Sequence, residues 1–408
     1  MHEKLRILFV DDESRILSGL RRMLHGMRRE WDMAFATGGS EALDVLAEGG
    51  RDVIVSDMRM PGIDGVALMT EVRARYPQMV RIALSGQASK GTVLHSVGVV
   101  HQYLAKPCDA GAVKAMLTRV SGLNNLLGNE ALRGRVANTL AVPSLPALLS
   151  GLTGELESPG ASANGAADIL SRDLGMSARV MQFVSSAFFA QPRRMLTPAE
   201  AAVFLGVDIL KALALSTHAF AEFSPASLAA APIDSIVQHS LAVADGAQAI
   251  AVEEGFDQDL TKQAFVAGLF HDIGKLVLAV EFPERYAVLP ARRAQQSPTE
   301  LEAERELFGA THSRTGAFLM GLWGLPREVV EALAFHHNPS RSSKAREPGV
   351  LTAVHAANVW AHEVGLRGEI GPAPEVDAAY LAELGLIDRL PQWRTACHGA
   401  MHKETANV

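Results

Sequence analysis

The sequence has little of what marks a secreted or membrane-spanning protein. Only two cysteines, Cys108 and Cys397, occur in 408 residues, without the paired spacing of a disulfide framework or a metal site. No uninterrupted apolar run is long enough to cross a bilayer, and the first residues lead into a strand-like segment rather than a signal peptide. We therefore expect a soluble, cytoplasmic protein with no membrane partner.

Net positive charge is also missing. The 38 lysines and arginines against 45 aspartates and glutamates give a formal net charge of −7, so no global basic field attracts nucleic acid. No recognition-helix segment or basic stripe stands out, and direct DNA binding is not expected. Hydrophobic residues at 48% are ample for sizeable cores, and the length predicts two or three domains.

The N-terminal part of the chain alternates strand-like and helix-like segments. Strands are predicted at 5–10, 33–36, 53–56, 82–84 and 102–104, and helical stretches separate them. This alternation predicts an α/β doubly wound domain with a parallel, five-stranded sheet.

Charged and hydroxyl side chains stand where four of the predicted strands end. These residues are Asp11, Asp12, Asp57, Ser85 and Lys106. The carboxyl ends of parallel strands share one edge of the sheet, so these groups are expected to meet there. Clustered carboxylates can hold Mg²⁺, which leaves positions open for phosphate oxygens. The set therefore favours phosphoryl transfer, with a carboxylate as the nucleophile, over the alternative of unrelated solvated acids.

This pattern resembles the response regulator receiver domain over about residues 4–121, and we place the domain at 1–121. The resemblance rests on Asp11-Asp12, Asp57, Ser85, Tyr103 and Lys106-Pro107. It implies that a histidine kinase phosphorylates Asp57. It also implies that Asp12, Asp57 and the backbone carbonyl of Arg59 hold Mg²⁺, with Asp11 orienting water. Lys106 would contact the phosphoryl group, and Ser85 and Tyr103 would report its presence.

Residues 113–140 have a partial apolar stripe and are predicted to be helical, with a connector at 122–140. The stripe consists of Leu117, Val120, Leu123, Leu127, Leu132, Val136 and Leu140. Its imperfect spacing favours packing against the protein itself, and a coiled coil that forms a homodimer stays open as the alternative.

Beyond residue 142 the strand signal almost vanishes, which predicts an all-α region to about residue 366. A further helix is expected at 378–387, and no strong pattern follows Ala400. The segments 142–148, 167–173, 178–181, 185–188, 202–206 and 210–213 resemble the HDOD domain, a helical signalling module related to the HD superfamily of metal-dependent phosphohydrolases. One departure is Ser185, where the family often has asparagine. The resemblance covers about residues 136–345; we place this domain at 141–345 and C-terminal helices and a tail at 346–408.

The adjacent pair His271-Asp272 is the second chemical signal, because imidazole and carboxylate can bind one divalent transition metal. By resemblance to the HD superfamily, the ligands of a Mn, Fe or Zn ion would be His239, His271, Asp272, His312, His336 and His337. Lys275 would then lie near a substrate phosphate, and metal-bound hydroxide would attack a phosphodiester.

Two departures weaken that interpretation. Asn358 stands where a closing aspartate is expected, and 313–316 lacks the Gly-Tyr-Pro motif of relatives that cleave cyclic di-GMP. The histidines could instead form a packed polar network.

The sequence thus supports two functions. The first is a phosphorylation-controlled response regulator that signals by binding a protein partner through its helical domain, with 113–140 as the connecting element. The alternative is a receiver-regulated, metal-dependent phosphohydrolase that acts on a cyclic dinucleotide or a nucleotide.

Overall fold

The computed structural model describes residues 4–85, 98–106, 109–139, 141–185, 195–214, 222–296, 299–342, 347–365 and 374–405. Pro107, Cys108, Leu140 and the segment 186–188, all used in the sequence analysis, lie outside these residues. So does the side chain of Ser85.

The N-terminal unit is a parallel sheet of five strands with the order β2-β1-β3-β4-β5. The strands are β1 Leu5–Val10, β2 Trp31–Ala36, β3 Val53–Asp57, β4 Val80–Ser85 and β5 Gln102–Ala105. Helices α1 Ser14–Met23, α2 Gly39–Glu48, α3 Gly65–Arg75 and α4 Ala110–Leu123 connect or follow them. The central strands are apolar and buried because helices cover both faces. The predicted doubly wound fold is confirmed.

The rest of the described chain is helical, which confirms the second predicted architecture. Its first helices are α5 Glu130–Asn138, α6 Pro146–Glu157, α7 Ala163–Leu170, α8 Leu174–Ser185, α9 Pro198–Ala214 and α10 Pro225–Ala230. The central helices are α11 Ile233–Glu253, α12 Gln258–Phe270, α13 Ile273–Glu281, α14 Pro283–Ala287 and α15 Leu289–Gln296. The last are α16 Glu300–Phe308, α17 His312–Leu322, α18 Arg327–Phe335, α19 Val350–Glu363, α20 Ala378–Glu383 and α21 Leu390–Thr405.

The stretch Gln258–Glu281 is long and apolar enough to cross a membrane, but 83% of its most apolar window is buried inside the protein. This is the behaviour of a core helix, and it has the break between α12 and α13 at its centre.

Two local expectations are wrong. The connector is not one continuous helix, because the chain leaves the helical path after Leu123 and starts again at Asn129, whose side chain caps α5 by accepting from the backbone N–H of Leu132. The C-terminal residues are also not patternless, since α21 runs to Thr405. It buries Trp393, Cys397 and Met401, which follow one another at helical spacing.

The stripe of the connector region is packed against the protein itself. Leu117, Val120, Leu123, Leu127, Leu132 and Val136 are all buried in the single chain. A dimer formed by this stripe would therefore first have to expose it.

The receiver-like unit packs against the helical unit through β5, α4 and α17. Gln102 donates its side-chain amide to the carbonyl of Leu322 at 2.7 Å, and Arg119 donates to the Gln102 side-chain oxygen at 2.7 Å. Gly321 allows the close approach, because a Cβ there would clash with Leu123. The last turn of α17 is thus fixed to the receiver-like unit.

A second buried contact joins this unit to α5. His101 accepts a hydrogen bond at Nδ1 from the backbone N–H of Arg81 at 2.9 Å, which leaves Nε2–H to donate to the carbonyl of Ala137 at 2.8 Å. Burial, and then the nearby charge of Arg81, lower the pKa of His101 well below its usual value.

Candidate phosphorylation site and metal centre

The first site lies at the carboxyl ends of β1, β3 and β5. Carboxylate oxygens of Asp11, Asp12 and Asp57 lie within 4.8 Å of one another. Asp11 is buried, Asp12 is exposed, and the Asp57 side chain keeps 13% of its surface in contact with solvent. Hard oxygen donors next to open solvent fit Mg²⁺, which keeps several of its waters.

Lys106 follows β5 and contacts two carboxylates of this site. Its ammonium lies 2.6 Å from Asp11 Oδ2 and 3.2 Å from Asp57 Oδ1. Burial would lower the pKa of Lys106, but the bond to Asp11 and the charge of Asp57 raise it. Lys106 therefore keeps its charge beside the carboxylate that the sequence predicts as the phosphoryl acceptor.

The remaining residues predicted for this site lie around it. Ser85 ends β4 and pairs in register with Ala105. Arg59 is exposed and follows β3 by two residues. Tyr103 is 6% exposed in the middle of β5. Burial lowers the pKa of Arg179 on α8 to about 10, while the nearby Tyr103 acts in the opposite direction. Tyr103 of β5 therefore lies close to Arg179 of the helical unit.

The second site is built where helices end. His271 and Asp272 stand between α12 and α13, His312 is the first residue of α17, and His336 and His337 follow α18. His239 lies within α11. Gly274 brings α13 against α17, because a Cβ at this position would overlap the backbone carbonyl of His312.

All six predicted ligands come together. They form two groups whose ligand atoms lie within 4.8 Å of one another, and the two groups share the carboxylate of Asp272. One group is Asp272, His312, His336 and His337, and the other is His239, His271 and Asp272. His312 Nε2 lies 3.2 Å from Asp272 Oδ1, and His271 Nε2 lies 3.4 Å from Asp272 Oδ2.

Neighbouring groups orient three of the imidazoles in the way that metal ligands are usually oriented. Nδ1 of His271 bonds to the carbonyl of Gly268 at 2.7 Å, and Nδ1 of His336 bonds to that of Leu333 at 2.9 Å. Nδ1 of His312 bonds to the Glu304 carboxylate at 2.8 Å. Each contact leaves Nε2 for the centre, as in histidines that ligate metals.

Buried polar atoms without partners indicate what the centre can hold. Nε2 of His271 and Nε2 of His336 have no hydrogen bond among the described residues. An unsatisfied buried donor or acceptor costs about 1–3 kcal/mol, so two beside the same carboxylate favour a compensating ligand. Imidazole nitrogens around a carboxylate fit a first-row divalent ion such as Zn, Fe or Mn.

Four of these groups are in the protonation state that binds such an ion, whereas Glu304 raises the pKa of His312 to about 10 against the effect of burial, so His312 must give up a proton to bind metal. Burial lowers the pKa of His271 to about 3 and that of His336 and His337 well below the usual value, so these rings are neutral. Burial would also raise the pKa of Asp272, but its interactions with His271, Lys275 and His312 hold it well below its usual range. Neutral imidazoles and an ionised carboxylate are the ligating forms.

Lys275 and Asn358 complete the inner wall. The Lys275 ammonium is buried, 2.9 Å from Asp272 Oδ2 and 3.6 Å from Glu300 Oε2. It neutralises the shared carboxylate rather than facing an open phosphate site. Asn358 Oδ1 lies 2.9 Å from His239 Nε2, so the amide occupies the neighbourhood where the resemblance expects the closing aspartate.

Sequence reasoning missed two residues of this centre. Glu304 bonds to both the backbone N–H and the ring of His312, and His362 packs against His239. Neither stands next to a recognised motif; only the position of His362 four residues after Asn358 could have indicated it. His355 is not part of the centre, because its ring bonds to the His336 carbonyl and the Asp377 backbone N–H.

Comparisons with known proteins agree with both folds. Residues 7–118 match the response regulator receiver domain, and residues 142–339 match the HDOD domain. The hydrogenase transcriptional regulatory protein HoxA of Cupriavidus necator is 37% identical over 103 residues, which is 25% of this chain and 21% of that protein. An uncharacterized protein of Treponema pallidum is 24% identical over 216 residues, or 53% of this chain and 41% of that protein.

Among solved structures, the MmoQ response regulator of Methylococcus capsulatus is 23% identical, covers 62% of this chain and 98% of its own, and has a TM-score of 0.46. The chain thus matches less than half the length of the curated relatives named here. Family matches to two successive segments nonetheless account for the sheet and for most of the helical unit. The chain therefore joins an N-terminal response regulator receiver domain to a C-terminal HDOD domain.

Proposed function

We propose that this response regulator carries the phosphorylation state of Asp57 to its HDOD domain through β5 and α17, and that the HDOD domain then changes its binding of a protein partner. A histidine kinase would supply the phosphoryl group and Mg²⁺ would bind beside Asp57. The observation that carries the proposal is the bond of Gln102 to the last turn of α17.

Strand β5 contacts both sides of this path. Lys106 directly follows the strand and bonds to the acidic site, while Gln102 on the same strand bonds to Leu322 and Tyr103 lies near Arg179. A phosphoryl group on Asp57 adds negative charge beside Lys106. Because the strand is short and buried, a shift at its Lys106 end also moves the residues that contact the HDOD domain.

Helix α17 connects this contact to the histidine centre. It has 11 residues, or about 16 Å at 1.5 Å per residue. Its C-terminal end accepts from Gln102 and its first residue is His312. A small displacement of the helix therefore alters the receiver interface and the centre together, as a two-state switch requires.

Burial of the centre supports a protein-binding output over turnover. His239, His271, Asp272, His312 and His336 are fully buried, so these residues of the described part of the chain offer a substrate no exposed surface. A buried centre can instead hold the HDOD helices in one arrangement and so determine the surface that a partner meets.

The proposal is tested with full-length protein that carries a stable phosphoryl analogue, beryllofluoride, and with an Asp57→Asn control treated in the same way. We expect the analogue to change the bound proteins or the oligomeric state of the wild type only, as measured by quantitative pull-down and light scattering. The same partners and the same mass in both states would contradict it.

A second candidate function is a metal-dependent phosphohydrolase, favoured by the unsatisfied nitrogens of His271 and His336. The six predicted ligands would hold the ion, which when bound supplies a polarised water and a Lewis acid. The chain itself keeps Asp272 ionised through Lys275 and aims His312 through Glu304.

This candidate is tested on protein loaded with Mn²⁺ or Fe²⁺ and offered cyclic dinucleotides and nucleotides, beside a His271→Ala variant. Hydrolysis by the wild type that the variant loses would support it. No turnover in either protein would exclude it for these substrates.

A further inference from the structure

Helix α19 forms the wall of the histidine centre that lacks a carboxylate. Asn358 lies on this helix, and His362 lies one turn further along the same face. An amide is a weak ligand for a transition metal and brings no charge. On this side the predicted ligand set is therefore incomplete without another donor.

His362 has the properties of that donor. Its side chain is 4% exposed, and Nε2 has no hydrogen-bond partner among the described residues. Its ring centre lies 4.8 Å from that of His239, and the rings are tilted by 57°. The ring is thus buried against a predicted ligand rather than turned towards solvent.

The spacing of the rings agrees with shared coordination. Two imidazoles bound to one ion at about 2.1 Å have ring centres about 4.5–5.5 Å apart. The separation of His362 from His239 falls in this range, as do the 5.1 Å between His239 and His271 and the 5.0 Å between His271 and His336.

His355 shows how a purely structural histidine on this helix is hydrogen-bonded. His355, two turns earlier on α19, is also buried, but backbone groups satisfy both of its ring nitrogens. Leaving Nε2 of His362 without a partner costs about 1–3 kcal/mol. The protein tolerates that cost on an α19 imidazole whose ring packs against the ring of a predicted ligand.

We propose that His362 is a metal ligand and that it binds the same ion as His239, His271 and Asp272. The inference rests on the metal centre of the second candidate function, although it does not require turnover. His239 Nε2 now lies 2.9 Å from Asn358 Oδ1, so for Nε2 to bind metal this bond must break and the ring proton must move to Nδ1. Replacing a carboxylate by an imidazole shifts the preference of the subsite from Mg²⁺ or Mn²⁺ towards Zn²⁺, Fe²⁺ or Co²⁺.

The experiment uses full-length protein that has been stripped of metal and then titrated with Zn²⁺ or Co²⁺. Bound metal is counted by elemental analysis, and the visible spectrum of Co²⁺ reports the number of nitrogen ligands. We expect His362→Ala and the milder His362→Gln to weaken one metal equivalent at least about 10-fold and to change the Co²⁺ spectrum. The matched control is His355→Gln, which should bind as the wild type does.

The outcomes are distinguishable. If the wild type binds no metal, the centre of the second candidate function is wrong and this inference fails with it. If the wild type binds metal and the His362 variants have the same stoichiometry, affinity and spectrum, only the role of His362 is wrong. Equal losses in His355→Gln would mean disturbed packing of α19 and would also overturn the assignment. Circular dichroism of the metal-free variants checks that each is folded.

Discussion

The two candidate sites of this protein solve the problem of clustered ligands in opposite ways. The receiver site places three carboxylates at strand ends, beside solvent, and balances them with Lys106. The HDOD centre places five histidines around Asp272 at helix ends and within α11, almost entirely away from solvent. Oxygen donors at an open edge suit a hard ion and a transient phosphoryl group, whereas buried imidazoles suit a resident transition metal.

This difference in exposure indicates that a signal enters at the receiver site and that the HDOD centre responds to it. Asp57 keeps partial exposure, so a kinase can reach it. The histidine centre is closed, so it can respond only through the helices that carry its ligands. Helix α17 contacts each region, through His312 and through Leu322.

The largest effect on metal binding is expected at Asp272, because its carboxylate belongs to both ligand groups of the HDOD centre. Asp272→Asn keeps the shape of the side chain but removes the charge, so we expect loss of stoichiometric metal. It also leaves the buried Lys275 without its closest carboxylate, which destabilises the metal-free protein by about 3 kcal/mol or more. Elemental analysis and urea unfolding measure the two effects. Retention of wild-type metal content would contradict the shared role of Asp272.

Glu304→Gln tests the orientation of His312 from outside the centre. An amide can still accept from the ring, but the charge that raises the pKa of His312 to about 10 against the effect of burial is lost. Metal affinity should fall about 10–100-fold, as for other residues that orient a ligand. Competition with a chelator measures it, and unchanged affinity would mean that His312 does not bind metal.

Gln102→Ala tests the link between the two regions. It leaves the Leu322 carbonyl and the Arg119 guanidinium without their bonds to this side chain, at a cost of about 1–3 kcal/mol. We expect faster proteolysis between the domains and a lower free energy of unfolding. Lys114→Ala, on the exposed face of α4, is the control and should change neither. If the two variants behave identically, the side chain of Gln102 does not stabilise the interface between the domains.

The smallest effect concerns pH and the His101 contact. Burial keeps this ring neutral in the folded protein, whereas the unfolded chain binds a proton below about pH 6.5. The unfolded state then holds more protons, so stability falls with falling pH by up to about 1.4 kcal/mol per unit for this group. His101→Gln should make the loss of stability between pH 6.5 and 5 shallower. An unchanged slope would mean that His101 is already protonated in the folded protein.

Much of this arrangement could be predicted from the sequence because its signals are local. Strand ends with Asp11 and Asp57, and the adjacent pair His271-Asp272, can be recognised within a few residues. Glu304 could not be predicted, since only folding brings it to His312. The contact between Gln102 and Leu322 joins residues 220 positions apart and leaves no pattern in either segment. The end of helix α21 beyond Ala400 was missed, because the residues after Met401 are mostly polar and continue no apolar spacing.

The most direct measurement is hydrogen–deuterium exchange of the wild type and Asp57→Asn, each with and without beryllofluoride and Mg²⁺. The account predicts that the analogue changes exchange in the wild type at the receiver site and also at residues 312–325, the peptide that contains α17. The Asp57→Asn protein should show neither change. A response of the receiver amides with no change at 312–325 would contradict the proposed path from Asp57 to the HDOD domain.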